Sequence, residues 1–413
     1  MLPAIGVRFL QPQRLATSGL CVGVFAVACV DGEPEGTTFF SRDSAGVVVV
    51  ESSREALPEQ NRWTVAGEPY LSIGVAEGDT TQELFRVIDA ARLNSDTVVI
   101  VNGGTSQVRW YDPSGRYVRA VGRRGSGPGE FSEYGPGGMC VLPGDQLLVA
   151  DPVQRRANVF TSGGEFVQVV RMATAGAFPA VQGCFGDGTL LGWHALSPPE
   201  RIPGTLYQPT HFWSRLTPDG AVMAELATLP ANPQYLLQQE YGTVTYHTIP
   251  FTVRPSATAG GSQFYVTSGT VPVVERRTSG GALEMILRWS QPGRVPAADV
   301  YDRFRAFTID SQSRPERRLH WEKFFNVGVE LPERVAAIRS LDVDDLGNLW
   351  AERYRLPWDS VPVWDVLDRR GAWLGSVTLP AGLQVYQIGP DFVLGLIRDS
   401  VGVERVQLHA LVR

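Results

Sequence analysis

Along most of the chain, apolar and polar positions alternate in short runs, the period of strands with one buried face. Phe166-Val167-Gln168-Val169-Val170 shows the alternation plainly. Gly, Asp, Ser and Pro cluster between the runs and predict tight turns. The runs come in sets of four. Phe85–Leu93, Thr97–Asn102, Gln107–Asp112 and Arg116–Gly122 form one set, with Pro113-Ser114-Gly115 as the turn before its last strand. Gly138–Leu142, Gln146–Asp151, Ala157–Thr161 and Glu165–Met172 form the next, entered through the loop Gly122–Phe131. The order returns in Ala180–Phe185, Thr189–His194, His211–Leu216 and Ala221–Leu229, then in Thr252–Thr258, Gln263–Ser268, Val271–Arg277 and Leu283–Trp289. A fifth set is Ile338–Val343, Leu349–Arg353, Val363–Leu367 and Ala372–Leu379. The last, Leu383–Ile388, Asp391–Leu396 and Glu404–Val412, stops one strand short.

Two stretches break the rhythm. Leu196 to Pro209 is a Pro-rich excursion inside the third set. After Pro296, Val300, Phe304 and Phe307 recur at helical spacing among charged residues, which predicts an amphipathic helix, with further helical turns around Leu319–Phe325. Self-similarity at this period marks a propeller or solenoid. The missing strand has a donor in Val47–Glu51, because Arg42-Asp43-Ser44-Ala45-Gly46 before it repeats the turn chemistry seen ahead of each fourth strand. Laying that strand beside Glu404–Val412 removes the open edge of the array. The expectation is an all-β, six-bladed β-propeller over residues 39–413, closed by an N-terminal strand, with a helical insertion at 296–326 between blades four and five.

The N-terminus adds an address. Arg8 and Arg14 precede an apolar run from Leu15 that ends in Ala26-Val27-Ala28-Cys29, the layout of an export signal. The ending resembles a bacterial lipobox, which implies removal of residues 1–28, lipidation of Cys29 and a short tether over 29–38. The protein is then exported to the bacterial cell envelope and lipid-anchored, facing the periplasm or the surface. Removing 1–28 deletes two arginines and no acid, so the formal charge moves from −6 to −8. So acidic a chain is poorly suited to nucleic-acid phosphates.

The loop Gly122–Phe131 with Val149-Ala150-Asp151 and Arg156-Ala157-Asn158-Val159-Phe160 resembles the NHL repeat. The match covers Phe85 to about Met172 and fades elsewhere, since Asn102, His194 and Glu352 stand at the Asp position and Gln107 at an Arg position. The whole chain also looks like exported six-bladed bacterial propellers of unassigned function. That resemblance implies a fold and no reaction; it also implies that Asp151 pairs with Arg156.

Chemistry is thinly marked. Asn102, Asp151, His194, Ser268, Glu352 and Arg398 end the second strands and would share one rim, where they either hold a polar ligand or a divalent cation, or bond locally. The five histidines make no triad and no zinc spacing. Arg123 and Arg124 open the Gly-rich loop and are anion-binding candidates. That loop lacks the Lys and following helix of a phosphate cradle. Asp342, Asp344, Asp345 and Asn348 read as a turn or as calcium ligands, without the loop length of an EF-hand. Cys140 and Cys184, on first strands of consecutive sets, are either a disulfide or two buried thiols. No cofactor is expected. The reading is a non-catalytic module that binds a protein partner or small ligand through its loop-rich face, anchored to a membrane by the N-terminal lipid; the alternative is a metal-dependent hydrolase or lyase with an axial site.

Overall fold

The structure is a computed structural model and describes residues 39–53, 63–172, 180–196, 200, 202–239, 242–291 and 293–413. The leader 1–28, Cys29 and the tether lie outside the described residues. All described elements belong to the unit Thr37–Arg413.

An N-terminal hairpin of β1 (Phe39–Ser44) and β2 (Val47–Ser52) precedes two short strands, β3 (Thr64–Val65) and β4 (Leu71–Ile73). The repeats then follow in chain order. β5 (Val87–Arg92), β6 (Val98–Asn102), β7 (Gln107–Tyr111) and β8 (Tyr117–Val121) form one antiparallel sheet. β9 (Met139–Leu142), β10 (Gln146–Asp151), β11 (Arg156–Phe160) and β12 (Phe166–Arg171) form the second. β13 (Ala180–Cys184) and β14 (Leu190–Leu196) begin the third; β15 (Leu206–Tyr207) leaves it, and β16 (Thr210–Leu216) and β17 (Val222–Pro230) complete it. β18 (Gln234–Gln238) and β19 (Val244–Thr248) pair with β15 in a separate three-stranded sheet. β20 (Ser256–Gly260), β21 (Gln263–Thr267), β22 (Val273–Thr278) and β23 (Leu283–Trp289) are the fourth repeat. Helices α1 (Ala297–Asp310) and α2 (Pro315–Phe325) stand before β24 (Ile338–Val343), β25 (Leu349–Arg353), β26 (Val363–Leu367) and β27 (Trp373–Thr378). β28 (Gln384–Ile388), β29 (Phe392–Arg398) and β30 (Glu404–Val412) end the chain.

Turn chemistry explains the meander. Gly115, Gly164, Gly220, Gly281 and Gly371, each ahead of a fourth strand, all have φ between 81° and 90°, a conformation that favours glycine. Each also donates its N–H to the carbonyl three residues back at 2.8–2.9 Å. These turns press on the preceding sheet: a Cβ at Gly115 would meet Leu71 Cδ1 at 2.9 Å, and one at Gly371 would collide with Leu287.

The interior is divided accordingly. Apolar clusters lie between successive sheets, such as Val99, Trp110, Phe131, Leu147 and Phe160 between the first two. Another cluster joins the last repeat to the first, with Leu394, Val406 and Leu408 packed on Ile73, Ala90, Ile100 and Tyr111. This is the layering of a β-propeller, with sheets packed face to face and short turns at their ends.

One expectation is overturned. Val47–Glu51 does not lie beside Glu404–Val412; β2 runs parallel to β23, with Val49 opposite Ile286 and Val50 opposite Leu287, so the hairpin extends the fourth repeat to six strands. The edge of β30 is instead taken by β4, which pairs Leu71 with Leu408 and Ile73 with Val406, and by β3, which pairs Thr64 with Val412. The β1–β2 turn does have the expected geometry, with Gly46 at φ 83°. Turn chemistry is local, whereas the choice of sheet edge depends on a distant apolar contact: Val50 is fully buried beside Leu287, Met285 and Leu367.

The helical insertion falls where its periodicity placed it. Phe304 of α1 packs edge-on to Phe251 at 4.9 Å, and Phe324 of α2 stacks on His247 of β19 at 4.4 Å. Among the described residues no helix is long and apolar enough to cross a membrane.

Candidate functional site

The first strands of the repeats converge on one cavity of about 410 Å³, lined by side chains of β5, β9, β13, β20, β24 and β28. These strands alternate like the rest, yet several carry a polar residue where an apolar neighbour would be expected: Asp89, Gln182, Thr258, Asp342 and Gln387. Bulges in the pairing of first with second strands help aim them. The ladder skips Ile88, Gln182, Arg339 and Tyr386 in four separate sheets, and a bulge redirects the side chains around it.

The polar groups tie adjacent first strands together. Asp89 Oδ2 accepts the Met139 N–H at 2.8 Å and its Oδ1 the Ala90 N–H at 2.9 Å. Gln182 donates to the Ala257 carbonyl at 2.6 Å while accepting from Trp213 Nε1 at 3.1 Å. Gln387 Oε1 accepts the Arg92 N–H at 2.8 Å, and Tyr386 donates its hydroxyl proton to the Val87 carbonyl at 3.1 Å. Among the described residues Asp342 accepts only the Val343 N–H, at 2.8 Å.

Among the described residues neither carboxyl has a basic partner, since no Lys, Arg or His among them lines the cavity. Desolvation therefore dominates. Burial raises the Asp89 pKa to about 6 against the two N–H donors. Burial also raises Asp342, to about 7, with the charges of Asp344, Asp345 and Asp89 adding to the effect. The acidic character continues into an adjoining cavity of about 550 Å³, where Asp96, Asp145, Asp345 and Asp391 face Arg92.

The six rim residues are mostly occupied where they stand. Asn102 accepts the Phe85 N–H at 2.8 Å, His194 stacks on Phe212 at 5.0 Å, and Ser268 bonds Thr270 at 2.9 Å. Asp151 accepts from Ser132 N and Oγ at 2.6 and 2.7 Å. It does not take the Arg156 guanidinium, as the NHL resemblance implied; Arg156 donates instead to the carbonyls of Ser126, Gly127 and Glu130, stapling the Gly-rich loop. Only Glu352 and Arg398 come together, in a cleft between the last two repeats.

Arg123 and Arg124 are held by Glu130 and Glu133, each at 2.6 Å. Cys140 and Cys184 are free thiols on neighbouring first strands. Burial first, then the adjacent Cys184 thiol, pushes the Cys140 pKa up. The acidic turn splits: Asp344 accepts N–H donors from Leu346, Asn348 and Trp350 and forms an ion pair with Arg413 at 2.9 Å, whereas Asp342 faces the cavity. No group of three metal-ligating side chains occurs among the described residues.

Sequence reasoning missed Asp89, Gln182, Tyr386 and Gln387 because it weighted the ends of second strands. The available signal was a lone acid inside an apolar first strand, in Val87-Ile88-Asp89-Ala90-Ala91 and again in Leu341-Asp342-Val343.

No family model and no curated protein matches the chain. Among solved structures it is similar to a putative exported protein from Bacteroides fragilis, at 11% identity over 88% of this chain and 99% of that one, with a TM-score of 0.47. A DUF4221 family member from Bacteroides vulgatus is similar at 11% identity over 86% and 100%, TM-score 0.45. Virginiamycin B lyase from Staphylococcus aureus is similar at 9% identity over 85% and 100%, TM-score 0.40. The repeat order of the chain itself, rather than these distant likenesses, defines its architecture.

Proposed function

We propose that the chain is an exported, lipid-anchored β-propeller of six blades, closed by β4, that binds a small polar ligand at its axis and performs no chemistry on it. The ring closure is supported by the apolar cluster that Ile73 shares with the first and last repeats. Export and anchoring rest on the layout of residues 1–29. Antiparallel order sends the excursion after β14 and the helical insertion after β23 to the same end of their sheets, a loop-rich face for a protein partner.

The axial cavity carries the reading. Asp89 and Asp342 face it without basic partners, so a ligand bearing an ammonium group neutralises carboxylates that otherwise sit uncompensated. Among the described residues no histidine and no Ser–His or Cys–His pair belongs to the lining, which favours binding over nucleophilic catalysis. The same carboxyls favour a second reading, a metal-dependent hydrolase or lyase with an axial ion. The oxygens on offer are few for it, because Asp89 already accepts two N–H groups and both Gln carbonyls are taken.

Calorimetric titration of the mature protein with putrescine at pH 8 and pH 5 tests the proposal. Saturable binding at pH 8, lost at pH 5 and in the Asp89→Asn/Asp342→Asn double variant, is expected. Absence of amine binding at either pH overturns it, and a stoichiometric divalent ion that only chelation removes transfers the assignment to the enzyme. Mass spectrometry of the mature N-terminus checks the anchor, with a diacylglyceryl mass on Cys29 expected.

A further inference from the structure

A second site lies between the sheets of β24–β27 and β28–β30, at the end of the strands opposite the acidic turns. The cleft holds about 510 Å³. Three guanidiniums reach it: Arg339 from the bulge of β24, Arg355 just after β25, and Arg398 from the end of β29. One acid, Glu352, stands among them; it is nearly buried and lies 3.4 Å from Arg339 and 3.1 Å from Arg355. Arg398 is held from behind by Glu404, at 2.7 Å. The lining side chains thus carry two more positive charges than negative ones, in a chain whose net charge is −6.

The donors there exceed the acceptors. Trp364 is 4% exposed and lines the cleft, yet its indole N–H is buried without an acceptor among the described residues. Arg355 Nε is in the same position, since its approach to Glu352 lacks the alignment of a hydrogen bond. Buried donors left without acceptors are rare, and each asks for a partner. Leu383, Val385 and the Trp364 ring supply an apolar wall beside the guanidiniums. Planar forks with free N–H groups match a carboxylate, and the apolar wall suits an organic body attached to it.

We propose that this cleft binds a small organic carboxylate, gripped by Arg339 and Arg398, with Trp364 and Arg355 as further donors. Arg339 sits outside the strand ladder with its side chain 51% exposed, so Arg339→Gln leaves the sheet intact. Its melting temperature serves as the control.

The test is calorimetric titration of the full mature chain with benzoate, glutarate and inorganic phosphate at low salt. Micromolar to millimolar binding of benzoate or glutarate is expected, weakened at least tenfold by Arg339→Gln or Arg398→Gln and severalfold by Trp364→Phe, which keeps the ring but loses the donor. Binding that survives in Asp89→Asn/Asp342→Asn separates this site from the axial one. Failure of both carboxylates to bind, undiminished binding in Arg339→Gln, or binding of phosphate alone overturns the proposal.

Discussion

The backbone N–H of Val87 donates to Glu404 Oε2 at 2.7 Å, joining residues 317 positions apart in a buried contact between the first repeat and the last. The other oxygen, Oε1, accepts from Arg398 Nε at 2.7 Å. A single carboxylate therefore serves both the seam of the fold and one wall of the proposed carboxylate site.

Glu404→Ala leaves the Val87 N–H buried without an acceptor and frees Arg398. The expected loss is about 1–3 kcal/mol in urea unfolding. Glu404→Gln, which keeps an acceptor for Val87, should lose less.

Deletion distinguishes the two N-terminal elements. Removing residues 1–53 strips the β1–β2 hairpin from an outer edge and leaves β4 on β30, so cooperative unfolding by circular dichroism should survive with lowered stability. Removing residues 1–76 takes away fully buried Ile73 and reopens the edge of β30. That shorter protein should fail to show a cooperative transition.

Charged axial carboxyls lower stability. Because the folded-state pKa of Asp342 stands near 7 against an ordinary 3.8, the folded protein binds the proton more tightly than the unfolded chain. Its contribution to stability is full below pH 4 and falls away as pH rises toward 7. Asp342→Asn should accordingly raise the melting temperature at pH 8, by roughly 2–5 °C, and change it little at pH 4.

The seat of α2 responds to acid in the opposite sense. His247 packs between His320 at 4.4 Å and Phe324 at 4.4 Å, and burial, then the His320 charge, lowers its pKa to about 4. His320 is lowered as well, by burial and Lys323. The packed neutral rings are stable at pH 7, and stability is lost as pH falls from about 6.5 toward 4. Trp321 fluorescence, followed from pH 7 to 4, should report loosening of α2 in the wild type. The midpoint should shift or vanish in His247→Phe.

The repeats were legible because each strand and turn is specified locally. Gly115, Gly164, Gly220, Gly281 and Gly371 mark the ends of third strands in sequence and adopt the same positive φ in the fold. The pairing of β18 with β19 is not legible in the sequence, since the two strands mix polar residues with few turn markers and are stabilised by packing against α2. The rim was misjudged for a related reason. Asn102 and Asp151 look like free polar side chains in sequence, yet each meets a backbone N–H some 17 to 19 residues earlier.

Sequence alone determined the order of strands within the repeats, the turns between them and the position of the helical insertion, all of which depend on residues close together along the chain. Tertiary structure alone decided that Val47–Ser52 runs beside Leu283–Trp289, that Leu71–Ile73 covers the last strand, and that Asp89 and Asp342 share a cavity. The physical reason is that edge pairing and burial are settled by contacts between distant segments, and alternation records which residues face inward without recording what they meet there.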